Sequence, residues 1–237
     1  MNKKIIIVLV ISTFMSACAQ FNPSQLGGLL GQSTELSSSE VVSGLKEALK
    51  VGIDNGSSQA SAVDGYFKNS LIKIVFPPDA QKIEAKLRQI GFGPDVDKFV
   101  LSLNRAAEDA AKKAKPIFWS AITSMSIQDA LGILKGDKNA ATEYLRKTTY
   151  QSLFNEFSPV VQTALDQQNA TKYYSDLATT YNKIPFTNQK LNPDLQKYAT
   201  DQAINGLFVL VADEEKKIRE NPAARVTDIL KKVFAKQ

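Results

Sequence analysis

The chain carries one cysteine, Cys18, and no histidine. A single thiol cannot form an intrachain disulfide, so the fold must be held by side-chain packing rather than by covalent staples. Packing alone asks for a sizeable core, and 43% hydrophobic residues over 237 positions supply the material for one. The missing histidine removes Ser-His-Asp and Cys-His catalysis, zinc sites of the His/Cys type and the Glu-x-x-His di-iron bundle. Oxygen-ligand metals such as calcium remain, but no Asp-x-Asp-x-Asp-Gly loop is present. No cofactor is expected.

The position of Cys18 says where the chain goes. Lys3 and Lys4 precede an apolar run from Ile5 to Ile11, extended by Phe14 and Met15, and Ser16 and Ala17 are small. A charged start, a short apolar core and a small-residue cleavage zone define a secretory signal, expected over residues 1–17. The run is too short for a spanning helix, which needs roughly 20 residues. Met15-Ser16-Ala17-Cys18 resembles the lipobox of bacterial lipoproteins, with Met15 in place of the usual Leu. That resemblance implies a lipid thioether on Cys18 and a mature chain beginning there. Two or more acyl chains would anchor it stably. Ala19, where lipoproteins kept at the inner membrane often carry Asp, implies sorting to the outer membrane, facing the periplasm. Ala17-Cys18-Ala19 also fits ordinary cleavage after Ala19, which would give a soluble periplasmic protein instead.

Lys3 and Lys4 account for two of the net +5 charges, so the remainder is only mildly basic. Nucleic acid, which asks for a clustered basic stripe, is not an expected partner. Residues 18–39, rich in Ser, Gly, Gln and Asn, read as a lipidated N-terminus and flexible tether, with a reach on the order of 25 Å. From Glu40 the pattern is helical, and a single domain is expected over 40–237. Its fold class is mainly α, a multi-helix bundle with one short β element near 71–76. A first helix ends near Asn55-Gly56, and a short one covers Ala60 to Lys68. Leu71 to Phe76 is β-branched and stopped by Pro77-Pro78, hence strand-like. Further helices are expected over Asp79–Ile90, Asp95–Lys115, Ala130–Leu134 behind a Ser126/Asp129 capping box, Asp137–Phe157, Pro159–Gln168 and Ala170–Asn182. Ile184-Pro185-Phe186 links to a long helix from Asn192-Pro193 to about Glu220. Asn221-Pro222 opens the last, through Phe234.

Two places put polar residues on apolar faces. Val96, Val100, Ala107 and Ala111 form a stripe at helical spacing; Asn104 lies inside it, Glu108 one turn on, Arg105 beside them. Such groups must find partners or cost a few kcal/mol. They are either the floor of a polar pocket or a satisfied network tying helices together. Glu214 shares a helix side with Leu207, Leu210, Val211 and Ile218; it is either an ion pair with Arg105, Arg146, Arg219 or Arg225, or a ligand or catalytic carboxylate. Asp213, Glu215, Lys216 and Lys217 around it read as a solvated face. Lys112, Lys113 and Lys115 collect at a helix C-terminus, where the dipole favours cations; contact with anionic lipid is the sharper reading. Ser43-x-x-Lys46 and Ser70-x-x-Lys73 match the opening motif of penicillin-interacting serine enzymes, but the companion Ser-Asp-Asn and Lys-Thr-Gly motifs are missing.

Six stretches carry a family likeness: Gly44-Leu-Lys-Glu-Ala-Leu-Lys50, Ser102-Leu-Asn-Arg-Ala-Ala-Glu108, Lys115-Pro-Ile-Phe118, Asp129-Ala-Leu-Gly-Ile-Leu-Lys-Gly136, Tyr144-Leu-Arg-Lys-Thr-Thr149 and Asn221-Pro-Ala-Ala-Arg225. Through them the chain resembles the domain of unknown function 4197 family of bacterial exported proteins, from about Gly44 to Phe234. The resemblance implies a helical exported domain and brings no activity, substrate or site. The function expected from the residues is therefore a membrane-anchored binding or interaction module, its partner a protein or a small apolar molecule. The alternative is an enzyme using carboxylates and Arg/Lys, with Glu108 or Glu214 as general base.

Overall fold

In a computed structural model, the residues described are 37–89, 91–167, 169–172, 174–175, 194–225, 228, 231 and 233. The seven helices named here are α1 (Ser38–Ser61), α2 (Gln81–Gln89), α3 (Gly93–Ala111), α4 (Ala114–Ser124), α5 (Ile127–Lys135), α6 (Ala140–Gln167) and α7 (Leu195–Glu220), with 3-10 turns at Pro78–Ala80 and Pro222–Ala224. They belong to one compact unit, Leu36–Gln237. The expectations for Cys18, for residues 18–36 and for the Ile184-Pro185-Phe186 link lie outside the described residues, as do parts of the helices expected over Ala170–Asn182 and up to Phe234.

Local side-chain chemistry starts three of these helices. Ser37 and Glu40 form a reciprocal capping box on α1, so the serine run read as tether is where the first helix begins. Ser126 and Asp129 do the same for α5, as expected; the two bonds from Ser126 hold the Asp129 carboxyl below the usual range. Asp194 Oδ1 accepts from Lys197 N at 2.9 Å and caps α7.

Helix α7 occupies the middle, against α1, α3 and α6; α6 also packs on α3, α4 and α5. The core they share includes Leu45, Ile53, Leu103, Phe118, Leu145, Phe157, Ile204 and Phe208. Phe118 meets Phe208 edge-on at 5.6 Å between ring centroids.

Five expectations are corrected. Helix α1 runs through Asn55-Gly56 to Ser61, and no separate helix covers Ala60–Lys68. Gly56 is there for close approach: a Cβ on it would lie 3.6 Å from the α7 backbone at Leu210 and Val211. Residues 114–124 form a helix of their own, broken from α3 at Lys112-Lys113. Pro159 does not divide α6. It forfeits one backbone bond, but Asn155, whose carbonyl loses that donor, is exposed to water, and buried Phe157, Val161 and Leu165 carry the apolar stripe through. Finally, Leu71 to Phe76 is not a strand, and among the described residues there is none. The reason lies in how α3 satisfies that segment.

Candidate functional site

Sixteen irregular residues, 62–77, join α1 to the turn before α2. Connections longer than about 12–15 residues are uncommon in compact domains, and their buried amides and carbonyls must all find partners. Some are met by the connector's own turns; the others find side chains on two neighbouring helices. Asn104, fully buried, accepts from Ile74 N at 2.8 Å and returns a bond from Nδ2 to Ile74 O at 2.8 Å. The primary amide thus exchanges both bonds with one residue, as the facing residue of an antiparallel strand would. A third bond, Nδ2 to Val100 O at 2.7 Å, ties it to its own helix. This is why a β-prone sequence forms no strand: its pairing is met by one side chain.

Glu108 does the corresponding work one turn later. Its Oε1 accepts from Tyr66 N at 3.1 Å and Phe67 N at 3.2 Å, and its Oε2 accepts from Arg105 Nη1. Arg105 then reaches across to Asp64 Oδ1 at 2.7 Å. Asp64 stands at φ +67°, a left-handed conformation that Asp tolerates better than most residues. Lys68 foremost, and Arg105 after it, hold its carboxyl below the ordinary value.

The rest of the connector is served by Asn69, whose backbone carbonyl accepts from Ile72 N and Lys73 N, and by Tyr198 of α7, which donates to Val75 O at 3.1 Å. Tyr66 plunges inward, and its hydroxyl donates to Ala203 O at 2.5 Å. Burial drives that hydroxyl far above the ordinary tyrosine range, and the Glu108 charge adds to it. Gly206 makes room: a Cβ there would sit 2.7 Å from the Tyr66 ring and 3.1 Å from Ile72 Cβ.

Of the four residues singled out on sequence grounds, then, Asn104, Arg105 and Glu108 act together, and Glu214 does not join them. Glu214 on α7 accepts from Asn55 Nδ2 of α1 at 2.9 Å and pairs with Lys217 at 2.7 Å. The expected arginine partners are engaged elsewhere. Arg146 donates to Asn205 Oδ1 at 2.9 Å and lies over Phe208; Arg225 donates to the Ile218 and Arg219 carbonyls.

Sequence reasoning misses Glu215, whose charged neighbours suggest a solvated face. It is buried and accepts from Ala141 N at 3.0 Å, Thr142 N at 2.9 Å and Thr142 Oγ1 at 2.7 Å. Those are first-turn amides of α6, so Glu215 caps another helix from a distance and sits at the favourable end of its dipole. Arg219 Nη2 bonds Glu215 at 2.9 Å and also donates to Ile133 O near the end of α5 at 3.0 Å. The pair ties α5, α6 and α7 in one knot. The one available signal is the spacing: Val211, Glu215 and Ile218 follow one another at helical intervals on one side of α7.

Among the described residues, a groove of about 670 Å³ lies open between α4 and α6. Ile117, Ala121 and Tyr144 give it apolar surface, Ser120, Thr148 and Ser152 hydroxyls, and Lys113 and Glu156 one charge of each sign. That volume lies in the range of small-molecule sites. Among the described residues no cluster of three or more Asp or Glu is placed to hold a metal ion. No curated protein and no solved structure matches the chain. Residues 35–235 match the family described as Protein of unknown function (DUF4197). With nearly the whole helical unit covered by that match, the chain belongs to the DUF4197 family.

Proposed function

We propose that this protein is a membrane-anchored, periplasm-facing binding module, tethered through lipid on Cys18 at the outer membrane. The anchor rests on the charged start, the short apolar run and the Met15-Ser16-Ala17-Cys18 segment. The binding role rests on one structural observation: the buried polar side chains a catalytic reading would draw on are spent on the fold. Asn104 makes three hydrogen bonds to backbone and Glu108 accepts two backbone amides and a guanidinium. Glu214 is shared between Asn55 and Lys217. A general base needs a free lone pair in a cleft within reach of substrate, and these carboxylates would have to abandon structural partners to supply one.

The α4/α6 groove is lined by side chains outside those networks, and its mixed lining suits a small, largely apolar molecule with a polar end, or a protein segment. Native mass spectrometry of protein extracted from its own membranes tests this. A bound mass lost in Ala121→Trp, which fills the groove, supports the reading; an apo mass together with no groove-dependent cross-link in cells overturns it. The anchor is tested separately: an intact mass beginning at Cys18 with added acyl chains supports it, and an unmodified chain beginning at Gln20 ends it.

A further inference from the structure

Trp119 is the chain's only tryptophan, and it is placed on the surface of α4 with 39% of its area exposed. Its indole N–H donates to Asp54 Oδ1 of α1 at 3.2 Å. Lys50 and Lys115 lie over the ring, with Nζ 5.7 Å and 5.0 Å from its centroid. Lys115 shares Asp54 at 2.9 Å, and exposed Lys112 and Lys113 stand immediately before α4. Glu47, Asp54 and Asp109 offset part of this charge, and lysine remains in excess.

The helices here are also the most apolar described. No single described helix is long and apolar enough to cross a membrane; α4 and α5 reach that hydropathy together but meet at a 103° bend. Each buries its own stripe in the core, through Phe118 and Ile122 on α4 and Ala130 and Ile133 on α5. The pair is thus fixed in the bundle, with Trp119 left outside on α4 and Ile127, 58% exposed, at the start of α5. Both helices pack on α1, which brings Lys50. An exposed indole held in a lysine collar matches the chemistry of the bilayer interface, where Trp sits at headgroup depth and basic side chains meet anionic phosphates.

We propose that this face docks on an anionic phospholipid surface, with Trp119 at the headgroup boundary and Lys50, Lys112, Lys113 and Lys115 against the phosphates. The inference rests on the anchored reading, since a tether on the order of 25 Å keeps the domain within reach of the bilayer. It also turns the anchored domain one way round, with the α1/α4 side to the lipid.

The sole tryptophan is its own reporter. The full chain, purified from membranes, is reconstituted into vesicles of phosphatidylcholine alone or mixed with phosphatidylglycerol, each carrying brominated acyl chains. Trp119 emission should shift to the blue and be quenched in the anionic vesicles and not in the neutral ones. Adding salt should reverse it. Lys50→Glu and Lys115→Glu should each cut the docked fraction relative to the undocked by about fivefold or more, from the loss of one lysine at a charged surface. Equal emission in both vesicle types overturns the proposal, as does an emission shift that follows protein concentration rather than lipid charge, which would assign the face to a second copy. Co-sedimentation with neutral vesicles reads the Cys18 anchor separately. A chain that sediments with Trp119 unquenched in anionic vesicles keeps the anchor and loses this face; one quenched in anionic vesicles without sedimenting in neutral ones keeps the face and loses the anchor.

Discussion

Glu108 and Glu215 are the same device used twice. Each is buried on an apolar helix side, each accepts two consecutive backbone amides from elsewhere in the chain, and each is paired with an arginine of its own helix. What they hold differs. Glu215 receives the first turn of α6, where the amides are aligned by the helix and its dipole reinforces the charge. Glu108 receives a bend in an irregular connector, where nothing else aligns the amides. Their arginines differ as well: the Arg219 side chain is 11% exposed and Arg105 37%. The carboxylate that caps a regular element shares its charge with an arginine inside the bundle; the one that pins a connector is equally buried but shares its charge with an arginine that reaches water. The stability of the two regions should divide accordingly.

The sharpest test of that division is Glu215→Ala. It takes the acceptor from two amides and a buried hydroxyl and the carboxylate from Arg219, which keeps the Ile133 carbonyl, and removing one partner of a buried pair costs about 3–5 kcal/mol. Chemical denaturation should register the loss across the whole unit. Glu108→Ala should cost less, about 2–3 kcal/mol, because Arg105 keeps Asp64 and solvent is close by. Its mark should be local, with faster hydrogen exchange at Tyr66 and Phe67 and little change in α6. Equal, global losses from both substitutions would erase the distinction drawn above. Gly206→Ala should cost about 1–3 kcal/mol by overpacking Tyr66 and Ile72, and should loosen the connector from its inner side.

The smallest expected effect comes from pH. The Asp64 carboxyl is depressed in the folded state, so its contribution is present above the unfolded aspartate value, about 3.9, and is lost as pH falls through the lower folded value. Acidification should therefore release the Arg105–Asp64 clasp before the bundle unfolds, seen as earlier exchange at residues 64–68. At the other end of the scale, burial and the bond to Asp201 push Tyr150 up to about 12. The stabilisation from its neutral form holds below the unfolded tyrosine value, about 10, and fades as pH climbs through the folded one. Ultraviolet titration of tyrosinate checks this, with the more deeply buried Tyr66 ionising after Tyr150.

Much of this is readable in the residues. The stripe Val96, Val100, Ala107, Ala111 marks the buried side of α3, and the Ser126/Asp129 box marks the start of α5, because both are local patterns. Asn104, Arg105 and Glu108 stand out for a physical reason: polar groups on an apolar stripe owe a partner to something. The identity of that partner is not local. Glu108 bonds residues 41 and 42 positions away, and Glu215 amides 73 and 74 away. Composition around Glu215, charged on both sides, suggests a wet surface, and only the packing of α6 on α7 makes it an interior residue. The segment Leu71–Phe76 has strand chemistry, and reading it as a strand fails because a side-chain amide can substitute for a neighbouring backbone.

That substitution has a bearing on how the protein keeps company with its own copies. Leu71 and Val75 of the β-prone segment face water at 75% and 45% exposure, and an extended stretch with vacant backbone groups is a template for intermolecular zippering. The turn at 71–72 breaks up that template, and by occupying both groups of Ile74, Asn104 closes its midpoint from within the folded molecule. At high local concentration a domain with that midpoint left open would be prone to clumping, and the buried amide of Asn104 guards against it together with Asn69 and Tyr198, which engage the groups on either side.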